Sequence, residues 1–232
     1  MNLNRTTIKH AFITSIPVMA GYIVLGMGFG ILLSAKGYSY WWAILMSITI
    51  YAGSMQYVGV NLLASGASVL STALMTLMVN ARHLFYGISM IESYRDMGWH
   101  KWYAVFGLTD ETYSLVCVNH KLPDGVHRKS FIFLLTFMNQ CYWVLGSFLG
   151  ALLGHAVSFD STGIDFSMTA LFVSIFIDQW EKTRNHLPAI LGLMVSLVCL
   201  VIFGVDRFLI PSMIGITIGL FLLRNKLEGR AE

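Results

Sequence analysis

The stretch Asn80-Ala81-Arg82-His83-Leu84-Phe85-Tyr86 decides how the rest of the chain is interpreted. From Gly37 to Ala81 there is no Lys, Arg, Asp, Glu or His, and Leu84 to Ile91 is apolar again except for Ser89. An arginine and a histidine therefore interrupt what otherwise has the composition of a membrane-spanning helix. An arginine at mid-bilayer costs about 2.5–3.5 kcal/mol on insertion scales, so a water-filled cavity or an internal partner usually accompanies it.

The composition predicts a membrane protein. Of the 232 residues, 56% are hydrophobic and only 12% are charged, against about 25% charged residues in a soluble domain. Apolar runs longer than the ~18 residues of a transmembrane helix recur along the chain. We therefore predict an all-α, polytopic integral membrane protein forming a single permease domain over residues 1–232. The net charge of +3 comes from basic residues scattered over loops, which argues against a nucleic-acid-binding surface.

Eight hydrophobic segments are predicted. They cover residues 11–35, 41–64, 68–91, 102–119, 130–157, 166–180, 187–205 and 208–223. The sixth is short for a full span and the eighth has Pro211 near its start. If either segment only re-enters the membrane, the number of spans falls from eight to seven.

The basic residues of the loops predict the orientation, because cytoplasmic loops carry an excess of Lys and Arg. If all eight segments cross, one side carries ten basic residues: Arg5, Lys9, Lys121, Arg128, Lys129, Lys182, Arg184, Arg224, Lys226 and Arg230. The other side carries four: Lys36, Arg95, Lys101 and Arg207. Both termini are then expected in the cytoplasm; with seven spans the C-terminus would lie outside.

A weak internal repeat is visible. Tyr22-Ile23-Val24-Leu25-Gly26, followed by Gly30, parallels Tyr142-Trp143-Val144-Leu145-Gly146, followed by Gly150, at an offset of 120 residues. Transporters are often built from two repeats that enclose a midplane site formed by interrupted helices. Repeats at about 11–91 and 130–223 are the resulting prediction. The alternatives are a chance match of apolar sequence and glycines that only let helices approach closely.

Several chemistries are excluded or disfavoured by the motifs. The three cysteines, Cys117, Cys141 and Cys199, lie in separate apolar segments, which indicates neither a zinc site nor a disulfide framework. No P-loop is present, and no cofactor or metal is expected. Leu63-Ala64-Ser65-Gly66, with His155 as a base, resembles an intramembrane serine protease motif, but Leu63 stands where a glycine is expected. An intramembrane hydrolase therefore remains only a minor alternative, and no enzymatic activity is predicted.

Arg82 is the first candidate for substrate binding. Its guanidinium offers a fixed fork of donors suited to a carboxylate. On a helix Tyr86 shares the face of Arg82, whereas Asn80 and His83 share a neighbouring face. One helix is thus predicted to present a cation, two hydrogen-bonding groups and a phenol to a cavity. The alternative is that Arg82 reaches the membrane interface or forms a structural ion pair.

Asp110-Glu111 is the natural counter-charge for Arg82. Adjacent helical residues point about 100° apart, so one carboxylate is expected to pair with Arg82 or anchor an ammonium group while the other takes up a proton. Buried carboxyl groups can titrate near neutrality, as proton coupling requires. The alternative is that both lie at a loop end, just outside the bilayer.

Uncharged polar residues supply the remaining candidates. Gln56, within Gly53-Ser54-Met55-Gln56-Tyr57, is expected either to bind substrate or to form an interhelical hydrogen bond. Asn139 and Gln140 have the same two interpretations and are secondary candidates together with Asp165. Asp178 is interpreted as structural, in a loop network with Lys182.

Five stretches resemble the AzlC family, also called YgaZ or BrnF, in the same order along the chain. They are Gly28-Phe29-Gly30, Gly53 to Tyr57, Asn80 to Gly87, Leu108-Thr109-Asp110-Glu111-Thr112-Tyr113 and Asp165 to Phe172. The resemblance extends from about residue 8 to residue 223. Ser54-Met55 is a departure, because smaller residues are expected there, and it leaves the substrate open.

The resemblance implies the large subunit of a branched-chain amino-acid exporter in a bacterial or archaeal inner membrane. Such a permease would work with a small AzlD/YgaH-type membrane subunit and export Leu, Ile, Val and Met, driven by the proton motive force. In this hypothesis Arg82 binds the substrate carboxylate, Asp110 or Glu111 the ammonium group, and Met55, Tyr57, Phe85 and Tyr86 line the apolar pocket. A carrier or channel for another small solute, or a scaffolding subunit that transports nothing, are the rival hypotheses.

Overall fold

The computed structural model describes residues 4–118, 122–156, 173, 176–177, 180–181, 185–204 and 208–228. Within these ranges the side chains of Arg82, Leu84, Phe85, Val118, Leu209, Ile210, Met213 and 224–228 are not described. The chain divides into two compact units, Met1–Met168 and Thr169–Glu232. Every secondary-structure element in the described ranges is a helix, as the composition predicts.

The first unit contains eight described helices. They are α1 (Arg5–Ala35), α2 (Tyr40–Thr49), α3 (Gly53–Ala64), α4 (Val69–Asn80), α5 (Arg82–Tyr94), α6 (His100–Phe106), α7 (Asp110–Val118) and α8 (Arg128–Ala156). The second unit contains α9 (Leu187–Phe203) and α10 (Leu209–Glu228). In that unit Gly215 of α10 lies against Val195 and Gly219 against Leu191, so the two helices pack antiparallel.

The two longest helices, α1 and α8, pack side by side along most of their length. A Cβ on Gly26 would lie 2.9 Å from the Trp143 carbonyl oxygen, and one on Gly30 would clash with the Ser147 backbone. From the other side, a Cβ on Gly146 would lie 2.6 Å from the Ile23 carbonyl oxygen. The missing side chains let the backbones approach closely, as small residues do between membrane helices.

The pairing of α1 with α8 is parallel and in register. The His127 amide donates to the Thr7 hydroxyl at 3.1 Å, and the Asn4 side-chain amide donates to the Gly125 carbonyl at 2.6 Å. These pairs and the glycine contacts all join residues about 120 positions apart. The glycines of the sequence repeat thus meet across this contact. We propose on this basis that the two stretches are equivalent parts of duplicated halves.

Three segments predicted as continuous helices are each made of two. A break at residues 50–52 divides 41–64 into α2 and α3, Ala81 separates α4 from α5 within 68–91, and residues 107–109 separate α6 from α7 within 102–119. The apolar pattern located these segments, but a hydropathy run carries no information about where the backbone leaves the helix.

Length and composition qualify two described helices, α1 and α8, to cross a membrane. Val69–Ala81, Leu187–Phe203 and Ile214–Leu223 are apolar but shorter. Most of the predicted sixth segment, 166–180, lies outside the described residues. The number of seven or eight spans therefore stays a prediction.

Large apolar side chains are exposed at the periphery, and several uncharged polar side chains are buried. Val69, Trp99 and Val201 are 87%, 83% and 85% exposed, whereas Gln56 and Asn139 are 0% exposed. Apolar side chains at the periphery and hydrogen-bonded polar side chains inside are what a lipid environment favours.

Candidate functional site

The three helix breaks meet at one cavity of about 260 Å³ in the first unit. Its walls are formed by Ile50, Tyr51, Ala52, Asn80, His83, Gly87, Val105, Phe106 and Leu108. Each of the three interrupted segments contributes residues from its break or from directly beside it. The cavity is mainly apolar, with the polar groups of Tyr51, Asn80 and His83 in its wall.

The first break is centred on Tyr51, which has a φ of +36°. A positive φ is unusual for a bulky residue and costs about 1–3 kcal/mol. The Ile50 and Tyr51 amides both donate to the Met46 carbonyl, at 2.8 and 3.4 Å, which closes α2. Ala52 then serves as the N-terminal cap residue of α3.

Gln140 of α8 stabilises this break. Its Nε2 donates to the Ile48 carbonyl at 3.2 Å, and its Oε1 accepts from the Tyr103 hydroxyl at 2.5 Å. A carbonyl in the last turn of α2 has no helical donor after the break, and the side chain from α8 provides one. Of the two interpretations offered for Gln140, the structure places it in interhelical hydrogen bonds.

The second break lies within the stretch that opened the sequence analysis. Asn80 ends α4 and Arg82 begins α5. The Asn80 Oδ1 is buried without a hydrogen-bond partner in the described part of the chain, and His83 Nδ1 lies 3.2 Å from the Asn80 carbonyl. Tyr86 does not line the cavity; its ring stacks on Tyr113, with centroids 4.8 Å apart. The predicted contact between Arg82 and a carboxylate falls on a side chain outside the described residues.

The third break carries the acidic pair. Thr109 precedes α7, and its hydroxyl accepts from the Thr112 amide at 3.3 Å, a helix-capping bond. Asp110 and Glu111 form the first turn of α7, where carboxylates are favoured by the helix dipole. The Glu111 Oε2 accepts from the Tyr22 hydroxyl of α1 at 2.7 Å. Glu111 is therefore held by the long helix α1, not by a basic side chain among the described residues.

A chain of polar groups continues from Glu111 towards α8. The Tyr22 hydroxyl lies 2.6 Å from the Thr109 hydroxyl, which lies 3.1 Å from the Thr112 hydroxyl. Asn139 Nδ2 donates to the Thr112 hydroxyl at 3.0 Å. The Asn139 Oδ1 is buried and has no hydrogen-bond partner among the described residues.

Gln56 lies in a separate buried network. Its Nε2 donates to the Ser47 hydroxyl at 3.2 Å, and its Oε1 accepts from the Trp143 indole at 2.6 Å. Met55 and Tyr57 are 5% and 2% exposed, and the Tyr57 hydroxyl donates to the Leu25 carbonyl at 2.7 Å. None of these three predicted substrate-binding residues lines the cavity at the breaks.

Of the predicted site residues, the structure brings Asn80 and His83 into one cavity and links Glu111 to Asn139 through hydroxyl groups. Asp165, the remaining secondary candidate, and Asp178 lie outside the described residues. Sequence reasoning missed Tyr22, Tyr51, Thr109 and Thr112. Only Thr109 carried a usable signal, because a threonine directly before two acidic residues is typical of a helix start.

The cavity combines an apolar wall with a few polar side chains and one helix start. Helix α3 begins at the cavity after the extended residue Ala52, and the amides at helix N-termini attract anionic groups. Among the described residues no group of three or more His, Cys, Asp or Glu could hold a metal ion. Ser65 donates to the Leu62 carbonyl at 3.2 Å, and no hydrogen bond joins it to His155 in the described part of the chain.

Comparison with known proteins gives a consistent result. The model of the family described as AzlC protein matches residues 17–157. The chain is 43% identical over 220 residues to the branched-chain amino acid transport protein AzlC of Bacillus subtilis, covering 95% of this chain and 86% of the relative. An uncharacterized membrane protein of Helicobacter pylori is 40% identical, with coverage of 95% and 96%. The inner membrane protein YgaZ of Escherichia coli is 26% identical over 179 residues, with coverage of 74% and 72%.

No solved structure matches the chain at a significant level. The family match covers α1 from Pro17 onwards and continues through all three interrupted segments to the end of α8. The relatives are membrane proteins, and every described element here is helical. The chain is thus an all-helical membrane protein, and it belongs to the AzlC protein family.

Proposed function

We propose that the chain is a membrane permease that exports branched-chain amino acids, namely leucine, isoleucine and valine, with methionine as a further substrate. The observation that carries the proposal is the single cavity at which three interrupted helices meet. Interrupted helices surround the substrate in many secondary transporters, because the freed backbone groups bind charged ends of a solute. The Bacillus subtilis relative is named as a branched-chain amino acid transport protein.

The substrate carboxylate has two sources of stabilisation in this proposal. The first is the amides at the start of α3, which follows the extended cavity residue Ala52. The second is Arg82, the first residue of α5, whose neighbours Asn80 and His83 both line the cavity. The guanidinium supplies the full charge, and the dipole of α3 adds to it.

The aliphatic side chain of the substrate is accommodated by the apolar wall. Ile50, Val105, Phe106 and Leu108 line the cavity, in place of the Met55 and Tyr57 proposed from the sequence. A volume of about 260 Å³ is below the ~300–1,000 Å³ of sites for drug-sized ligands. It therefore suits one amino acid better than a peptide.

The acidic pair provides the coupling group. Asp110 and Glu111 lie on the first turn of α7, directly after the third break. We assign proton coupling and the ammonium contact to these two residues. A carboxylate that takes up a proton in one orientation and releases it in the other lets the proton motive force drive export.

The working unit in this proposal contains a second, small AzlD/YgaH-type membrane subunit. It functions in the cell inner membrane, with both termini of this chain in the cytoplasm, and needs no cofactor. The grouping of ten basic residues on one side when all eight segments cross supports the orientation. The rival proposal, a carrier or channel for another small solute, uses the same cavity.

Transport in proteoliposomes tests the proposal. Vesicles loaded with labelled leucine, arginine or a small anion are compared for wild type, Arg82→Ala and Glu111→Gln. We expect leucine flux driven by a pH gradient to be saturable and competed by isoleucine and valine, and to fall at least tenfold in both variants. Flux of arginine or an anion without leucine flux would favour the rival, and wild-type leucine flux in both variants would refute the site.

Gly87 offers a matched pair of variants that fill the cavity to different degrees. It lines the cavity, and a Cβ added there meets nothing within 4 Å. Gly87→Ala should therefore fold and transport normally, whereas the side chain in Gly87→Leu should occupy the cavity and abolish flux. Equal flux in the two variants would show that the cavity is not on the transport path.

A further inference from the structure

The chain of polar groups between Glu111 and Asn139 joins three helices that differ in kind. Tyr22 belongs to α1 and Asn139 to α8, the two continuous helices, whereas Thr109, Glu111 and Thr112 surround the start of the half-helix α7. Tyr22 is 4% exposed, and Thr112 and Asn139 are 0% exposed. A buried side-chain network of this kind is strongly stabilised when every group is satisfied, and costly when one is not.

The number of protons shared by these polar groups depends on whether Glu111 is ionised or protonated. Each of the three hydroxyl groups has one proton and can rotate it towards either neighbour. With Glu111 ionised, Tyr22 donates to the carboxylate, and the Asn139 amide N–H donates to Thr112. The Thr109 hydroxyl, which donates to Thr112 in the structure, must rotate its proton towards Tyr22 in this state. Tyr22 then donates a charge-assisted hydrogen bond, which is about twice as strong as a neutral one.

Proton uptake by Glu111 reverses the series. The carboxylic acid now donates to the Tyr22 oxygen, Tyr22 donates to Thr109, and Thr109 donates to Thr112, which lies at 3.1 Å. Thr112 then needs an acceptor, and the buried Asn139 Oδ1, which has no hydrogen-bond partner among the described residues, supplies one after rotation of the amide. One proton is gained, at Glu111, and no covalent bond other than its O–H forms or breaks.

Resting on the function proposed above, we infer that Glu111, not Asp110, is the residue that carries the coupled proton, and that Tyr22 is its positioning residue. Tyr22 ties α7 to α1 strongly only while Glu111 is ionised. Protonation replaces the charge-assisted bond with a neutral one and weakens this tie. The protonation state of Glu111 therefore changes the hydrogen bonds that α7 makes with α1 and, through Thr112 and Asn139, with α8.

The surroundings of Glu111 favour a proton over a metal cation at this position. The oxygens of Tyr22 and Thr109 are 2.6 Å apart, and those of Tyr22 and Glu111 are 2.7 Å apart. Oxygens at these distances share protons and leave no room for a cation between them. Among the described residues, the Tyr51 hydroxyl from the first break interacts electrostatically with this carboxylate, and Asp110 is its neighbour in the first turn of α7, whereas α8 contributes the uncharged Asn139.

Tyr22→Phe removes one hydroxyl group and little else. The ring packs edge-on against Trp143, with centroids 5.5 Å apart, and phenylalanine keeps this contact. Two assays are run on proteoliposomes: leucine counterflow at equal pH on both sides, and leucine accumulation driven by a pH gradient. Thermal unfolding of the purified protein reports the fold, and Asp110→Asn and Glu111→Gln are measured in parallel.

We expect Tyr22→Phe to retain counterflow within about twofold and to lose gradient-driven accumulation at least tenfold. Glu111→Gln should retain pH-independent counterflow without accumulation, whereas Asp110→Asn, at the residue left for the ammonium contact, should lower counterflow and accumulation to the same degree. Adding Tyr22→Phe to Glu111→Gln should change little, since the two residues act through one interaction.

The outcomes separate the inference from the proposed function. If the wild type moves leucine in neither assay, the proposed function fails and this inference with it. If the wild type is active and Tyr22→Phe accumulates leucine normally, only the inference fails. A parallel fall in counterflow, accumulation and thermal stability would reveal a merely structural tyrosine, and accumulation driven by a sodium gradient alone would identify a different coupling ion. Either result overturns the assignment.

Discussion

The pair of helices α1 and α8 and the three interrupted segments are built on opposite principles. Helices α1 and α8 run without a break over 31 and 29 residues, and glycines allow the two backbones to touch. In the interrupted segments the helix stops in the middle, and side chains from the continuous pair take over. Gln140 serves the end of α2, and Tyr22 and Asn139 serve the start of α7.

This difference indicates where a membrane protein can build a binding or proton-transfer site. A continuous helix presents only its side chains to the surroundings. An interrupted helix also exposes backbone amides and carbonyls, which need hydrogen-bond partners. Here each break is supported by the continuous pair or faces the cavity, so α1 and α8 act as the frame. Four sets of variants test this division, from the strongest expected effect to the weakest.

The largest loss of stability is expected when helices α1 and α8 are forced apart. A Cβ on Gly30 or Gly150 would clash with the backbone of the opposite helix. Gly30→Ala and Gly150→Ala should each cost about 3 kcal/mol, the upper end for overpacking a tight contact, measured as a loss of thermal stability in detergent. Gly21→Ala is the control on the same helix, because a Cβ there meets nothing within 4 Å. Equal stability in all three variants would refute the close contact.

The first helix break, at residues 50–52, should be destabilised when its hydrogen bonds to Gln140 are removed. Gln140→Leu leaves the Ile48 carbonyl and the Tyr103 hydroxyl without the partners seen in the structure, which should cost about 1–3 kcal/mol. Leucine flux should fall with stability, because the first break forms one wall of the cavity. Leu149→Ala, on an exposed position of the same helix, should have a smaller effect on flux. The reverse order would show that the breaks do not depend on α8.

The start of α7 gives a smaller effect that depends on one hydroxyl. Thr109→Val removes the capping bond to the Thr112 amide and the contacts of the Thr109 hydroxyl with the hydroxyls of Tyr22 and Thr112. We expect a cost of about 1–2 kcal/mol. Thr109→Ser retains the hydroxyl and should behave as the wild type. Thermal unfolding of both proteins makes the comparison, and a serine variant as unstable as the valine variant would point to the methyl group instead.

The smallest effect is expected at the far end of α5. Glu92 accepts from Arg95 at 2.6 Å, with side chains 75% and 65% exposed. Exposed ion pairs contribute about 0–1 kcal/mol, so Glu92→Gln should leave thermal stability and leucine flux nearly unchanged. A loss as large as that of Gln140→Leu would mean that this pair has a role in the second interrupted segment that its exposure does not suggest.

The sequence was sufficient for the class of fold and for the position of most helical segments, because composition and hydropathy depend only on side-chain transfer energies. It also identified Asn80 and His83 as candidates, since polar side chains within an apolar segment are costly to bury and often functional. It did not predict the breaks at Tyr51 and Gly107, which depend on tertiary partners such as Gln140. Nor did it separate Gln56 from the cavity, because only the structure reveals the indole of Trp143 next to it.

The parallel register of α1 and α8 restricts the path of the chain between them. If two helices that both cross a bilayer run in the same direction, the intervening residues 36–127 must traverse it an odd number of times. The three interrupted segments give an odd number of crossings when each crosses the bilayer once. An even number of crossings between α1 and α8 is impossible. Labels attached after Ala35 and after Ala156 must then be reached by the same membrane-impermeant reagent, from one side only.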